Sequence, residues 1–378
     1  MKQNFSRRDF LKVAGVGLGA LAFKPYFSET YYEKLYTPKR LPQFPAGDII
    51  GRLVDQTDVR SRPDNNPILN NVIGAMPADY LMPWGREVIG SVIGLTNQKY
   101  LETPQGYVWA SRVQPTRNLP NTPITEMPAG QPGFWAEVTV PYVDLTLETA
   151  PISPWIQSLI QYNFPPRVYY GQVLWIDQVR TTNGFAEYRW NESPGHGYGF
   201  GDIYWLDGAG LKVLTDVDVA PISPEIDPNE KKILADLTYQ TLSCYEGNNE
   251  VFFCRISSGA KFDATGALSE ERATPVGELL THWKIISLNM SGGGSASGYS
   301  TPAVPWSTVI HGDGIAIHGA FWHNDFGERR SHGCINVTPE DAKWIFRWTT
   351  PYITLAQCET RMTWPDHGTV VTTKELKL

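Results

Sequence analysis

Apolar and polar residues alternate with period two along most of this chain, and long helical spacing is scarce. The pattern predicts strands in "GRLVDQTDVRSRPDNN" from Gly51, "EVIGSVIG" from Glu87 and "GYVWASRVQP" from Gly106. A second run of strands is expected in "FWAEVTVPYVDLTL", "RVYYGQVLWIDQVRT" and "FAEYRWNE", between residues 134 and 192. From Asp227 a short capped start leads into two strands joined by a tight polar turn near Gly247, Asn248 and Asn249. "HWKIISLNM" is a further strand, and "VIHGDGIAIHG" is strand-like. Between them, residues 291–306 are rich in Gly and Ser and read as a lid or a disordered excursion. One helix signature stands out in "TPEDAKWIFRWT", residues 338–349. Thr338 is its N-cap, Pro339 takes the first helical position, and Glu340 and Asp341 follow before an apolar face.

These elements divide the chain. Residues 23–47, with Pro at 25, 38, 42 and 45, read as an extended linker. Residues 48–118 form one β unit and 119–226 a second β region. Residues 227–360 form the last domain, and 361–378 are read as a C-terminal tail. The element Val59-Arg60-Ser61-Arg62-Pro63 and the closing strand Gly106-Tyr107-Val108 resemble those of bacterial SH3-like modules. The repeat of "APISP" at 150–154 and 220–224 is a weak sign that this architecture recurs.

Composition and the N-terminal residues add one exclusion, one fold indication and one address. Net charge is -7, which argues against a nucleic-acid partner. Plentiful Pro and Gly, 13 Trp and 18 Tyr suit a mostly β protein. The first 22 residues hold Ser6-Arg7-Arg8, Phe10, Leu11 and Lys12, the twin-arginine pattern, followed by a short apolar run. Export by the twin-arginine route to the cell envelope is expected, on its periplasmic or extracellular face. Membrane contact is expected only where this segment is retained.

Candidate chemistry gathers in "RRSHGCINV", residues 329–337. Cys334 sits among Ser331, His332, Gly333 and Asn336, and His318 ends a strand sixteen residues earlier. A thiol attacks only as thiolate, so it needs a base or a positive field nearby. The intervening chain is long enough to bring His318 back to Cys334. Backbone N–H groups at 332–334 are candidates to meet a developing oxyanion. Other readings of these residues remain open. Cys334 is a buried structural cysteine, or one half of a pair with Cys358; or His318, His323, His332 and Cys334 bind zinc, although the paired short spacings of structural zinc sites are missing. Cys244 and Cys254 flank the polar turn, and strand register decides whether they face each other.

His318-Gly319 followed by Ser331-His332-Gly333-Cys334-Ile335-Asn336 resembles the signature of the L,D-transpeptidase catalytic domain, also called YkuD. Thr274-Pro275-Val276-Gly277 is similar to that family's T-P-x-G turn, and the likeness spans roughly residues 228–356. The resemblance implies a mostly β protein: a YkuD-like β catalytic domain preceded by small SH3-like β-barrel modules. It implies a catalytic set of Cys334, His318, His332, Gly333 and Ser331. Asn336, Gly319, Arg330, Trp322 and Tyr299 are the expected substrate-binding residues, and no metal or cofactor is expected. The implied substrates are peptidoglycan stem peptides, crosslinked through a cysteine thioester, with carbapenem-class β-lactams as inhibitors. An L,D-carboxypeptidase and a non-catalytic wall-binding protein are the alternatives.

Overall fold

A computed structural model describes residues 29–193, 196–197, 201–262, 267–292, 299–363 and 365–376. The twin-arginine segment lies outside the described residues.

Residues 48–118 fold into two small sheets. One joins strands Ile50–Leu53, Leu81–Pro83 and Val113–Thr116; the other joins five strands between Thr57 and Trp109. Leu53, Val59, Leu101, Val108 and Val113 are fully or nearly fully buried between them. The next region is a six-stranded antiparallel sheet, with Val173–Thr182 and Phe185–Asn191 near its middle. A helix over Pro154–Gln161 contributes Trp155, Ile156 and Leu159 to its core. The first "APISP" therefore starts a helix, with Pro154 at its first position.

The expected linker is largely a strap. Glu29–Tyr36 is a helix whose Leu35 is buried in the core of the middle region. Lys39 Nζ donates to Leu145 O at 2.6 Å, and Leu41 N–H donates to Asp207 at 2.9 Å. Pro38, Pro42 and Pro45 lie outside the helix, where they interrupt no ladder, and Pro25 lies outside the described residues.

The last domain holds two sheets with a helix against them. One sheet runs 249–255, 241–246, 231–236, 370–374, 277–280 in spatial order. Two corrections to the sequence reading appear in it. Lys231–Asp236 is a third strand before the expected hairpin, with Lys231, Ile233 and Ala235 facing inward. Residues 370–374 are no tail: they pair in parallel with 232–236 and antiparallel with 277–280. The β-branched run Val370-Val371-Thr372-Thr373 is the local signal for that strand. Its parallel partner lies some 140 residues away, and no local pattern reports such a pairing.

The second sheet orders Trp283–Gly292, Tyr299–Val309, Ala316–Gly319 and Ile335–Val337. Of the expected loop of 291–306, the described residues 291–292 and 299–306 are strand, and 293–298 lie outside the described residues. Gly292 pairs with Tyr299, Leu288 with Val304 and Ser287 with Pro305. Two prolines hide the alternation there, and a register shift between Leu288 and Met290 absorbs the irregularity.

Helix Pro339–Trp348 forms as the sequence predicts, with Thr338 accepting from Asp341 N–H at 3.1 Å. Its other end is held by two buried lysines. Lys284 donates to Phe346 O and Thr349 O, and Lys231 donates to Trp348 O at 3.2 Å. Their N–H donors suit the carbonyl end of a helix, where partial negative charge collects, and burial with nearby Lys231 holds Lys284 well below the ordinary lysine range. The helix packs on the 316–319 strand, and Gly319 is the point of closest approach. A Cβ at Gly319 would lie 2.9 Å from both Pro305 Cγ and Pro339 Cα. Gly319 is therefore a buried packing position under the helix and not a substrate contact.

Candidate active site

Strands 316–319 and 335–337 run parallel, with His318 beside Asn336 and Ile317 beside Ile335. Side chains alternate across a strand, so Cys334 and Asn336 share a face, as do Ala316 and His318. The register puts all four on the same face. Ala316 N–H donates to Cys334 Sγ at 3.4 Å. Cys334 is partly exposed, while protein atoms enclose its sulfur from behind. That burial pushes the thiol up, and the Ala316 hydrogen bond opposes it in part.

His318 is 2 % exposed and its Nδ1 lies 3.3 Å from Gly319 O. A carbonyl can only accept, so Nδ1 carries the proton and Nε2 keeps its lone pair. Burial holds His318 down to about 4. At neutral pH the ring is therefore a neutral base. Among the described residues, the Cys334 sulfur has its one hydrogen bond from Ala316, so thiol and imidazole rest uncharged.

The cysteine loop is pinned by hydroxyls. Ser331 Oγ donates to Cys334 O and accepts from Gly333 N–H at 3.1 Å. Gly333 adopts φ +119°, which favours glycine, and its carbonyl accepts from Thr274 Oγ1 at 2.8 Å. Thr274 Oγ1 in turn accepts from Gly259 N–H at 2.9 Å. The T-P-x-G turn thus braces the cysteine loop. Ser331 spends its hydroxyl on fixing the loop, bonded to the Cys334 carbonyl and the Gly333 amide. The Gly333 amide is taken by Ser331, whereas no described residue engages the His332 and Cys334 amides.

His332 is exposed and lies against Tyr299, with ring centroids 5.0 Å apart. Burial lowers its pKa, and nearby Arg272 lowers it further against the pull of Glu271. Tyr299 is pushed up to about 12 by burial, with the Cys334 side chain adding to the effect. Trp322 rests on His318 at 5.7 Å between ring centroids. The structure thus brings Tyr299, Trp322 and His332 around the Cys334–His318 pair.

Asn336 and Arg330 are placed otherwise than expected. Asn336 is 3 % exposed and its amide meets His323 Nε2 at 2.9 Å, while His323 Nδ1 accepts from Asp325 N–H at 3.1 Å. With Nδ1 accepting, Nε2 carries the proton, and Asn336 Oδ1 is the fitting acceptor for it. That orientation also satisfies an otherwise unpartnered buried oxygen. Arg330 forms an ion pair with Asp325, which is 1 % exposed, and Arg329 pairs with Glu375. Both guanidiniums brace the fold. Arg272 is the cation that sequence reading missed: it is partly exposed, stands near His332 and has no ion pair among the described residues. Its place two residues before Thr274-Pro275 was the available signal.

Cys244 and Cys254 are free and buried in the core, because register sets Cys244 opposite Phe252 and Leu242 opposite Cys254. Among the described residues no group of His, Cys, Asp and Glu could hold a metal ion.

The family model described as the L,D-transpeptidase catalytic domain, YkuD, matches residues 230–372. No curated protein matches the chain. Similar solved structures include an L,D-transpeptidase from Enterococcus faecium, at 23% identity over 39% of this chain and 50% of that one, TM-score 0.29. Another is an L,D-transpeptidase from Mycobacterium smegmatis, at 15% identity over 50% of this chain and 90% of that one, TM-score 0.30. A third, solved in complex with imipenem, shows 16% identity over 50% of this chain and 82% of that one, TM-score 0.30. The chain spans about half the length of the Enterococcus faecium structure. The family match covers Thr274, His318, Ser331 and Cys334 together, and residues 230–372 are accordingly a catalytic domain of the L,D-transpeptidase (YkuD) family.

Proposed function

We propose that this protein is a peptidoglycan L,D-transpeptidase that works through a Cys334 thioester. One observation carries the reading: Cys334 and a neutral, buried His318 share one face of adjacent parallel strands, with His318 Nδ1 committed to a carbonyl and Nε2 left as acceptor. On binding of the acyl donor, the Cys334 thiol proton passes to His318 Nε2. Sulfur attacks the amide carbonyl between the third stem residue and the terminal D-amino acid. The oxyanion meets the His332 and Cys334 amides. His318 returns the proton to the leaving amine, the C–N bond breaks, and a thioester remains. An amine of a second stem then attacks the thioester, gives its proton to His318, and restores the thiol. Arg272 takes the place of Arg330 as the partner for a stem carboxylate, since a guanidinium suits that geometry. Tyr299 and Trp322 flank the donor.

Attack by water on the same thioester gives the carboxypeptidase alternative. A carbapenem carbonyl is strained and electrophilic, and it is expected to acylate Cys334 by the same first step. The 48–118 module fits an SH3-like wall-binding role, and the twin-arginine pattern fits action at the cell envelope. Among the described residues, no helix is long and apolar enough to cross a membrane.

The test is incubation of the full chain with disaccharide-tetrapeptide, followed by mass spectrometry. A crosslinked dimer with loss of the terminal D-amino acid supports the reading. A shortened stem alone supports the carboxypeptidase, and an unchanged substrate overturns both.

A further inference from the structure

The loop between the His318 strand and the Cys334 strand carries no strand or helix of its own over residues 321–330. The 48–118 module grips it at three points. Arg52, 1 % exposed, donates to Phe321 O at 2.8 Å. The Asn324 amide nitrogen donates to Ala110 O at 3.2 Å, and its backbone N–H donates to Ser111 O at 3.2 Å. Glu328 Oε1 accepts from Thr96 N–H, from the Thr96 hydroxyl and from Asn97 N–H, the last at 2.9 Å. The Thr96 hydroxyl also lies 3.1 Å from Gly327 O.

These grips are anchored on rigid ground. Arg52 is bound by Asp79 and Gln114 and lies 4.0 Å over the Tyr169 ring, which itself stacks on Phe321. Trp109 Nε1 donates to Asn97 O at 3.1 Å and steadies the segment that meets Glu328. Between the grips the loop presents its two working side chains. Trp322, next to the Arg52 contact, lies on His318. His323, next to the Asn324 contact, meets Asn336 beside His318.

We propose that the 48–118 module is part of the catalytic apparatus. It holds the 321–328 loop so that Trp322 orients His318 and His323 orients Asn336, with Asn324 and Glu328 as positioning residues. This rests on the thioester reading above. A site held by side chains whose own supports are fixed keeps its geometry, and small misplacements cost rate steeply. The module thus acts on turnover itself as well as on any wall binding.

The experiment uses the full chain and five proteins: wild type, Glu328→Ala, Glu328→Gln, Thr96→Val and Thr96→Ser. Four quantities are measured: kcat and KM on a soluble stem fragment, the rate of Cys334 acylation by a carbapenem, and the melting temperature. Glu328→Ala and Thr96→Val are expected to lower kcat and the acylation rate by about tenfold, with KM little changed. Glu328→Gln keeps the accepting oxygen and Thr96→Ser keeps the hydroxyl, so both should restore the wild-type rate at an unchanged melting temperature. Wild-type rates in Glu328→Ala and Thr96→Val, beside an active wild type, overturn this proposal alone. So does a loss that follows melting temperature in all four variants. A wild type that neither acylates nor turns over substrate overturns the thioester reading, and this proposal with it.

Discussion

Cys334 and the pair Cys244 and Cys254 occupy one domain and share the upward push of burial, and they differ in partners and placement. The pair lies on the 241–255 hairpin, facing the apolar core, where burial pushes both thiols well up. Neither receives a hydrogen bond from a described residue. Cys334 stands just before a short strand, partly open to solvent, with an amide donating to its sulfur and a neutral imidazole on the same sheet face. Residue type is the same, so the difference comes from placement: a loop braced by Thr274 and Ser331 aims one thiol outward, and a ladder turns two inward.

The contrast breaks first at the nucleophile. Cys334→Ala and Cys334→Ser should each lower crosslinking by at least about a thousandfold, while Cys244→Ala leaves turnover intact. Activity surviving in either Cys334 variant sinks the thioester. Peptide mapping after exposure to a carbapenem should place the adduct on Cys334 and on none of the other three cysteines. His318→Ala should slow that acylation by about a hundredfold or more, since the proton acceptor is lost. An adduct on the hairpin, or an unchanged rate in His318→Ala, erases the distinction drawn here.

Smaller effects sharpen it. Thr274→Val leaves the Gly259 N–H and the Gly333 carbonyl without their partner, and should cost about 2 kcal/mol of stability and lower the acylation rate. Chemical denaturation reads the first and intact-mass kinetics the second; no change in either means the turn does not brace the cysteine loop.

The two regions should also differ in their pH dependence. Burial holds His318 down to about 4 and His323 to about 3 in the folded chain, below the ordinary 6.5. The unfolded chain therefore binds protons first, and stability present above about pH 6.5 is lost as pH falls toward those values. The hairpin thiols behave oppositely. Their pKa values are raised from 9.0, so their contribution is full below about pH 9 and declines as pH rises beyond it. Denaturation midpoints for His323→Gln should fall less between pH 7 and 5 than those of wild type. Those for Cys244→Ala should fall less between pH 8 and 10. Parallel curves for variant and wild type would falsify the assignment of those slopes.

Much of the site is written locally. Thr338, Pro339 and the acids after them define the helix, because a cap and its first turn are neighbours in sequence. The cluster of Ser331, Gly333 and Cys334 is equally local: Ser331 reaches the Cys334 carbonyl three residues on, and Gly333 supplies a backbone angle that other residues resist. The sequence by itself therefore determined which thiol is the candidate nucleophile, which histidine is its candidate partner, and that the domain is mostly β.

Tertiary structure decided what depends on distant partners. Arg330 looked available until Asp325 took it, and Gly319 looked like a substrate contact until helix 339–348 closed over it. Residues 370–374 looked like a tail because their ladder partners lie far back in the chain. The three grips on the 321–328 loop join residues 213 to 269 positions apart. Such contacts leave no periodicity or cap to read, since each half is an ordinary polar residue until the fold brings the other half to it. Local conformation follows from neighbours along the chain, whereas the orientation of a catalytic side chain follows from whatever the finished fold packs against it.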